Sequence, residues 1–327
     1  MNKIFHMTAA MAAAAGLACG EVDPFADGVY MEDTGVDPIF STPAVTTYAD
    51  TEDTQATNRP ALLPNDYYFE YLGGMHIHGQ GSTVRAMNAF VTMPLLNPRR
   101  HVVRGWHLDA KLSGRLTWLH SSGADILDEH HLYTLGGSAT LIHQAGQNSQ
   151  FHIGFTPQVS TDFDAMSHEI FYWGGNVGFS STVGPKFKYS LGVSVMPDYN
   201  GTWVWPLVNF QWRYRPNWEA QLQATRLSVQ YVAQDKLRVG PFLQLNRSAW
   251  TVKRHKEVTQ LRMNNWIAGV ASSYRWNWNG ITMKLQGDLG FTFYNNFRVR
   301  TKNGRHTLER YRTDGGLYAR AGIGFEF

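Results

Sequence analysis

The sequence predicts an all-β chain: an antiparallel transmembrane β-barrel of about 12 strands, with 14 as the alternative, preceded by a disordered acidic leader. Three observations carry that expectation. Residues 316–327 alternate without a break, with Leu317, Ala319, Ala321, Ile323, Phe325 and Phe327 as one apolar set and Tyr318, Arg320, Gly322, Gly324 and Glu326 as a small, polar or charged one. A period of two is that of a strand. Shorter runs of the same kind recur from Tyr67 onward, divided by turn residues. Aromatics reach 13%, with 11 Trp, although mean hydropathy is only -0.32. A barrel reconciles the two, because only alternate residues meet lipid, and Trp and Tyr concentrate where apolar and wet surroundings meet. A soluble sheet with an aromatic-ended edge strand invites aggregation, whereas a closed barrel has no free edge.

The chain starts with features of export. Residues 1–20 read as a secretory signal peptide, with Lys3 supplying the charged start and residues 7–18 an apolar stretch too short to span a bilayer as a helix. Cys19 is the sole cysteine, so no intrachain disulfide can form. Its setting, residues 16–19, resembles a bacterial lipoprotein acylation site, but Gly16 stands where that pattern has Leu. Residues 21–66 hold Pro24, Pro38, Pro43, Pro60 and Pro64, and they set ten acids against Arg59 alone. Such a segment buries too little apolar surface to order itself and is expected to be a flexible periplasmic leader. The same charge pattern would also suit an acidic plug folding back into a basic interior.

From residue 67 to 327 the strands follow. Residues 106–118 are the cleanest, with Trp106, Leu108, Ala110, Leu112, Leu116 and Trp118 opposed to His107, Asp109, Lys111, Ser113, Arg115 and Thr117. That length suits a tilted membrane strand of roughly 9–11 residues. Residues 187–195, 237–245, 266–276 and 281–294 repeat the pattern. Residues 197–201, 233–236 and 277–280 carry turn chemistry, and the polar links 253–260 and 301–313 are expected to be external loops. A phase slip between Ala224 and Leu227 predicts a bulge. About thirteen candidate strands emerge; residues 67–79 and 84–95 are the least regular, and the even-number rule gives twelve.

The region 67–327 resembles the β-barrel proteins of the Gram-negative outer membrane, most like their uncharacterised single-barrel families. The resemblance rests on the alternating strand ending in Phe327 and on residues 88–95, similar to an early strand motif of those families. It implies an outer-membrane location after export. It also implies that Phe327, Phe325 and Ile323 are read by the barrel assembly machinery, and that outer-membrane lipid and small solutes are the other partners.

The lumen is where chemistry is expected. Lys111, Arg115, Lys186, Lys188, Arg238, Arg275, Lys284 and Arg320 fall on the polar phase, against Asp109, Glu219, Asp288 and Glu326. Setting aside Lys3, Arg59 and the ten leader acids from 29 bases and 26 acids leaves 27 against 16. A water-filled tube so lined favours anions over cations. The bland alternative is a closed interior in which the charges pair. His76 and His78, two apart, could share a metal on one strand face, but no Cys or carboxylate set completes the ligands. His143 and His152 flank a turn, with disagreeing phases. His130 and His131, beside Asp125, Asp128 and Glu129, read as a solvated link. Asp162, Asp164 and His168 have the residue types of an omptin-like protease without its context, and the His–Ser–Asn strand motif of outer-membrane phospholipases is missing. With no nucleophile paired to a base, the chain is read as a non-enzyme. No Gly-rich phosphate loop or basic helix points to a cofactor or nucleic acid. The expected function is a passive channel for small, preferably anionic solutes. The alternatives are a closed structural or adhesion barrel presenting residues 253–260 and 301–313, and a hydrolase sited at the rim.

Overall fold

The computed structural model describes residues 64–326, except 80, 96–100, 104–105, 124–129, 147, 166–169, 199–200, 224, 235, 280 and 303–305. Residues 1–20, read from the sequence as a signal peptide, with Cys19, residues 21–63, read as leader, and Phe327 lie outside the described residues. The strands are β1 (Pro64–His76), β2 (Thr83–Pro94), β3 (His101–Val103), β4 (Trp106–Ser122), β5 (His131–Gln144), β6 (Ser149–Thr161), β7 (Phe171–Val183) and β8 (Phe187–Asp198). They continue as β9 (Gly201–Arg215), β10 (Trp218–Gln223), β11 (Arg226–Ala233), β12 (Leu237–Arg254), β13 (Glu257–Trp278), β14 (Ile281–Thr301), β15 (Thr307–Thr313) and β16 (Gly316–Glu326). Among the described residues no helix is long and apolar enough to cross a membrane.

Fourteen of these strands close an antiparallel ring. Its order is β1, β2, β4 to β14 and β16, and β16 pairs with β1 to shut the seam. β3 pairs only with β4, and β15 only with β14, outside the ring. The count is therefore the alternative one, and three sequence expectations are corrected. The first strand starts at Pro64 and pairs Asp66 with Gly324, so the last three leader positions belong to the barrel. The irregular segments are both strands, β1 and β2, and their irregularity is a register shift between Leu72 and Met75 at Gly74, whose φ is +73°. The slip near Ala224 is a hairpin turn, with Gln223 opposite Arg226.

Alternation sets the two faces of the wall as the sequence predicts. On β4, Leu112 is 43% exposed on the outside while Ser113, Arg115 and Thr117 are buried inside. On β14, Leu285, Leu289, Phe291 and Phe293 are exposed opposite the buried Asp288 and Thr292, and on β16 the exposed Leu317 adjoins the fully buried Tyr318. Around the ring these outward Leu, Val, Ile, Phe and Trp side chains make a belt of exposed apolar surface, far larger than the patches soluble monomers show. The tight links that follow Val183, Ala233 and Trp278 share one end of the barrel with the seam pair Pro64 and Glu326. Positive φ at Gly184, Gln234 and Asn279 makes those links short.

The other end is built differently. β12 and β13 stay paired to Arg254 opposite Glu257, and the two-residue turn His255–Lys256 has positive φ at both positions. Residues 253–260 are thus the tip of a long hairpin, not a loop, and half of 301–313 is β15, zipped onto β14. This hairpin reaches over to the far wall: Thr251 bridges Thr161 in parallel register, Ser160 Oγ donates to the Ala249 carbonyl at 2.6 Å, and Tyr172 and Thr251 hydroxyls meet at 3.0 Å. Five strands separate β6 from β12 along the shorter arc of the ring, so the contact crosses the mouth. Behind it Trp250, Val252, Leu261, Met263, Phe297 and Val299 join Leu72, Met75, Ile77, Val84, Ala86, Leu119 and Leu132 in one buried apolar cluster, with Tyr311 packed against it. The hydrophobic core therefore sits inside this end of the barrel, where it holds the in-turned sheet in place.

Candidate functional site

Below that cluster the interior is polar and strongly charged. Asn88 of β2 is the hub of one network. Its amide donates to Glu70 Oε1 at 2.8 Å, and its carbonyl accepts from Arg115 Nε at 3.1 Å and from Thr117 Oγ1 at 2.6 Å. Tyr318 donates to the other Glu70 oxygen at 3.2 Å, tying the seam strand β16 to β1. Arg115 also lies 5.6 Å from the Trp250 ring centre, where the network meets the apolar cluster. In a second group Asp288 receives Arg226 at 2.8 Å and Arg320 at 3.8 Å, while Arg226 covers the Phe242 ring and Arg320 the Tyr68 ring. In a third, Glu219 receives Arg238 at 3.1 Å and Arg213 at 3.9 Å. Each carboxylate is shared by donors on different strands, so the arrangement fixes the register of the wall as well as its charge.

Of the sequence-nominated cations, Arg115, Arg238 and Arg320 sit in these networks. Lys111 pairs with Asp109 at 3.0 Å on its own strand. Arg275 and Lys284 stand directly opposite each other on β13 and β14, and Lys188 faces Gln211 on β9. Lys186 is a correction: it lies exposed in the turn between β7 and β8, because the positive φ at Gly184 ends the alternation there. Sequence reasoning missed Glu70, Asn88, Arg213 and Arg226. The first two lie on the strands read as least regular, although Glu70 does alternate with Tyr68 and Leu72.

The other nominated groups have structural partners. His78 Nε2 meets Asp314 Oδ1 at 3.0 Å, joining the end of β1 to the end of β15, and His76 is exposed beside it. Among the described residues no group of three or more His, Cys, Asp or Glu could hold a metal ion. His143 stacks on Trp106 with 4.6 Å between ring centres, whereas His152 is buried on the interior phase and paired with Ile142, so the two never meet. Asp162 is a turn cap and a clasp: Oδ1 accepts from the backbone N–H of Asp164 and Ala165, and Oδ2 accepts the Lys253 N–H of the in-turned hairpin at 2.7 Å. His168, Asp125, Asp128 and Glu129 lie outside the described residues. At the seam Ile323 is held between Tyr67 and Leu285, and Phe325 meets the Tyr67 ring edge to face at 6.2 Å.

At the tip of the in-turned sheet Arg254 pairs with Glu309 at 2.8 Å, and Tyr311 donates to the same carboxylate. Partial burial pushes the Glu309 carboxyl up, but the hydrogen bonds from Tyr311 and Arg254 outweigh it and hold it below the usual range. Burial and that same bond raise the Tyr311 phenol.

Residues 136–326 match the family described as Domain of unknown function (DUF6268). The chain belongs to this family. That stretch holds β6 to β16 and most of β5, hence the in-turned sheet and most of the basic interior. Nothing among curated proteins matches the chain. Solved structures to which it is similar include three outer-membrane proteins. An outer membrane channel from Pseudomonas putida F1 is 10% identical, with a TM-score of 0.46, covering 85% of this chain and 100% of that one. A Pseudomonas aeruginosa FadL homologue is 10% identical, TM-score 0.40, covering 82% and 92%. The KdgM porin is 10% identical, TM-score 0.34, covering 81% and 99%.

Proposed function

We propose that this DUF6268 protein is an outer-membrane β-barrel acting as a narrow channel for small anionic solutes, held shut at one mouth by its own β12–β13 hairpin. The observation that carries the reading is the contrast between the two faces of the ring. Its outside is an apolar belt fit for lipid, and its inside is lined by Arg115, Arg226, Arg238, Arg275, Lys284 and Arg320, with fewer carboxylates among them. A lumen with that excess lowers the barrier for anions and raises it for cations. Export by residues 1–20, insertion by the assembly machinery through Ile323, Phe325 and Phe327, and a leader that stays in the periplasm belong to the same reading. No cofactor enters it, and its partners are outer-membrane lipid and the solute.

A second reading, a filled structural barrel, is favoured by the apolar cluster across the mouth. Flux decides between them. The full chain in proteoliposomes, given uncharged, anionic and cationic sugars of equal size, should admit the anionic one fastest, and Arg275→Glu with Lys284→Glu should remove or reverse that order. Equal rates for anion and cation, unchanged in the variant, would defeat the anion preference. No flux in either protein would favour the filled barrel.

A further inference from the structure

The lumen wall made by β6 and β7 carries no Asp, Glu, Lys or Arg between Gln150 and Ser160 or between Tyr172 and Thr182. Its inward residues are neutral hydrogen-bonding groups and glycines, alternating with the exposed Ile153, Phe155, Val177 and Phe179. His152 and Ser180 are each 1% exposed and Asn176 6%. On β8 the buried Ser190 stands directly opposite Ser180. Both ring nitrogens of His152, the Asn176 Oδ1 and the hydroxyls of Ser180 and Ser190 have no hydrogen-bond partner among the described residues. Buried polar groups are normally paired, so these five atoms on neighbouring strands oppose folding until a partner reaches them.

Glycine lets two of these side chains lie along the wall. The His152 ring spans its register partner Gly178, where a Cβ would fall 2.5 Å from Nε2. The Asn176 amide spans Gly154 in the same way, where a Cβ would fall 2.6 Å from Nδ2. Both are thereby laid along the wall instead of standing across the bore. β6, β7 and β8 stand seven strands, half the ring, from β13, β14 and β16. The cations Arg275 and Lys284, opposite each other on β13 and β14, therefore lie across the lumen from this wall. The levels match as well. His152, Ser180, Ser190, Arg275 and Lys284 each lie three positions inside the turn end of their strand, at Ser149, Val183, Phe187, Trp278 and Ile281.

We infer that this part of the lumen is a binding site for small polyhydroxylated anions, and it rests on the anion-preferring lumen of the proposed channel. The anionic end of the solute is drawn to Arg275 and Lys284, and its hydroxyls are taken up by His152, Asn176, Ser180 and Ser190. A hydroxyl suits these groups because it donates and accepts at once, and neutral imidazole, amide and serine offer both kinds of partner. Such a site rejects an analogue that lacks the hydroxyls, since its own buried groups then stay unpaired. Sugar acids and sugar phosphates share this chemistry and differ in the anionic end.

The test titrates the full-length protein in detergent by isothermal calorimetry. The probes are gluconate and glucose 6-phosphate, each beside a counterpart without hydroxyls, butyrate and ethyl phosphate. Gluconate or glucose 6-phosphate should bind about tenfold more tightly than its counterpart. That advantage should shrink about three- to tenfold in S180A/S190A and in H152L, with the counterparts unchanged; the tighter probe gives the anionic end. Removing two unpaired hydroxyls should leave the urea midpoint of S180A/S190A unchanged or raised, so its weaker binding is no folding defect, and this variant carries the test if H152L does not fold. Counterparts bound as well as the hydroxylated probes, equal affinities in wild type and S180A/S190A, or no binding of any probe overturns the inference, even where flux still favours anions. Hydroxyl-dependent binding in a barrel that passes no anion supports the site and defeats the channel.

Discussion

Asn88 shows how one side chain is committed by its surroundings. It supplies one donor to Glu70 and one acceptor shared by Arg115 and Thr117, all of them buried. Asn88→Ala would leave a carboxylate and a guanidinium short of partners in a place water reaches poorly. The expected cost is about 2–3 kcal/mol, read from the urea midpoint of the refolded barrel; a change below about 0.5 kcal/mol would mean that solvent already satisfies the pair. The wall phase offers a sharper contrast between neighbours on β4. Leu112→Arg turns a charge outward into the belt and should cost about 2–4 kcal/mol and block assembly, while Ser113→Arg points inward among polar groups and should assemble. The opposite ranking would invalidate the inside–outside assignment.

At the scale of elements the in-turned hairpin is the feature that matters. It is fastened to the far wall by few polar contacts, of which the Asp162 carboxylate to Lys253 N–H bond is the most localised. Asp162→Ala should leave the ring folded but loosen the tip, so that trypsin cuts at Lys253, Arg254 or Lys256 several times faster than in the wild type. Unchanged cleavage would assign the fastening to the apolar cluster alone. Acid should act on the same element. The Glu309 carboxyl is held below its ordinary value of 4.5, so its contribution is complete above that pH and fades as pH falls through the depressed value. Cleavage at the tip by an acid-active protease should therefore rise as pH falls through the depressed value, and Glu309→Gln should flatten the profile; a wild-type profile already flat would show that the Arg254 pair holds nothing in place.

Over the whole molecule, what could be read from residues depended on height along the barrel. Within the belt, lipid outside and polar groups inside impose opposite chemistry on alternate positions, so β4, β14 and β16 were legible down to their phase. Toward the in-turned mouth that rule inverts. There Trp250, Val252, Leu261 and Met263 face the apolar cluster while Lys253, Gln260 and Arg262 share the opposite face of the in-turned sheet, and a stretch judged by the belt's pattern looks like a polar loop. The same inversion blurred β1 and β2, whose inner faces carry Leu72, Met75, Val84 and Ala86 beneath the cluster. The basic lumen was visible as charge on one phase, but its carboxylate partners were not, because Glu70 to Tyr318 and Arg226 to Asp288 are contacts between residues far apart in sequence. The most direct test of a shut, anion-preferring channel is the current across a planar bilayer under a KCl gradient, wild type beside Asp162→Ala. A small or intermittent wild-type current is expected, with a larger steady current in the variant and a reversal potential of anion-selective sign. A folded variant that stays silent, or one whose reversal potential favours K⁺, would contradict the account.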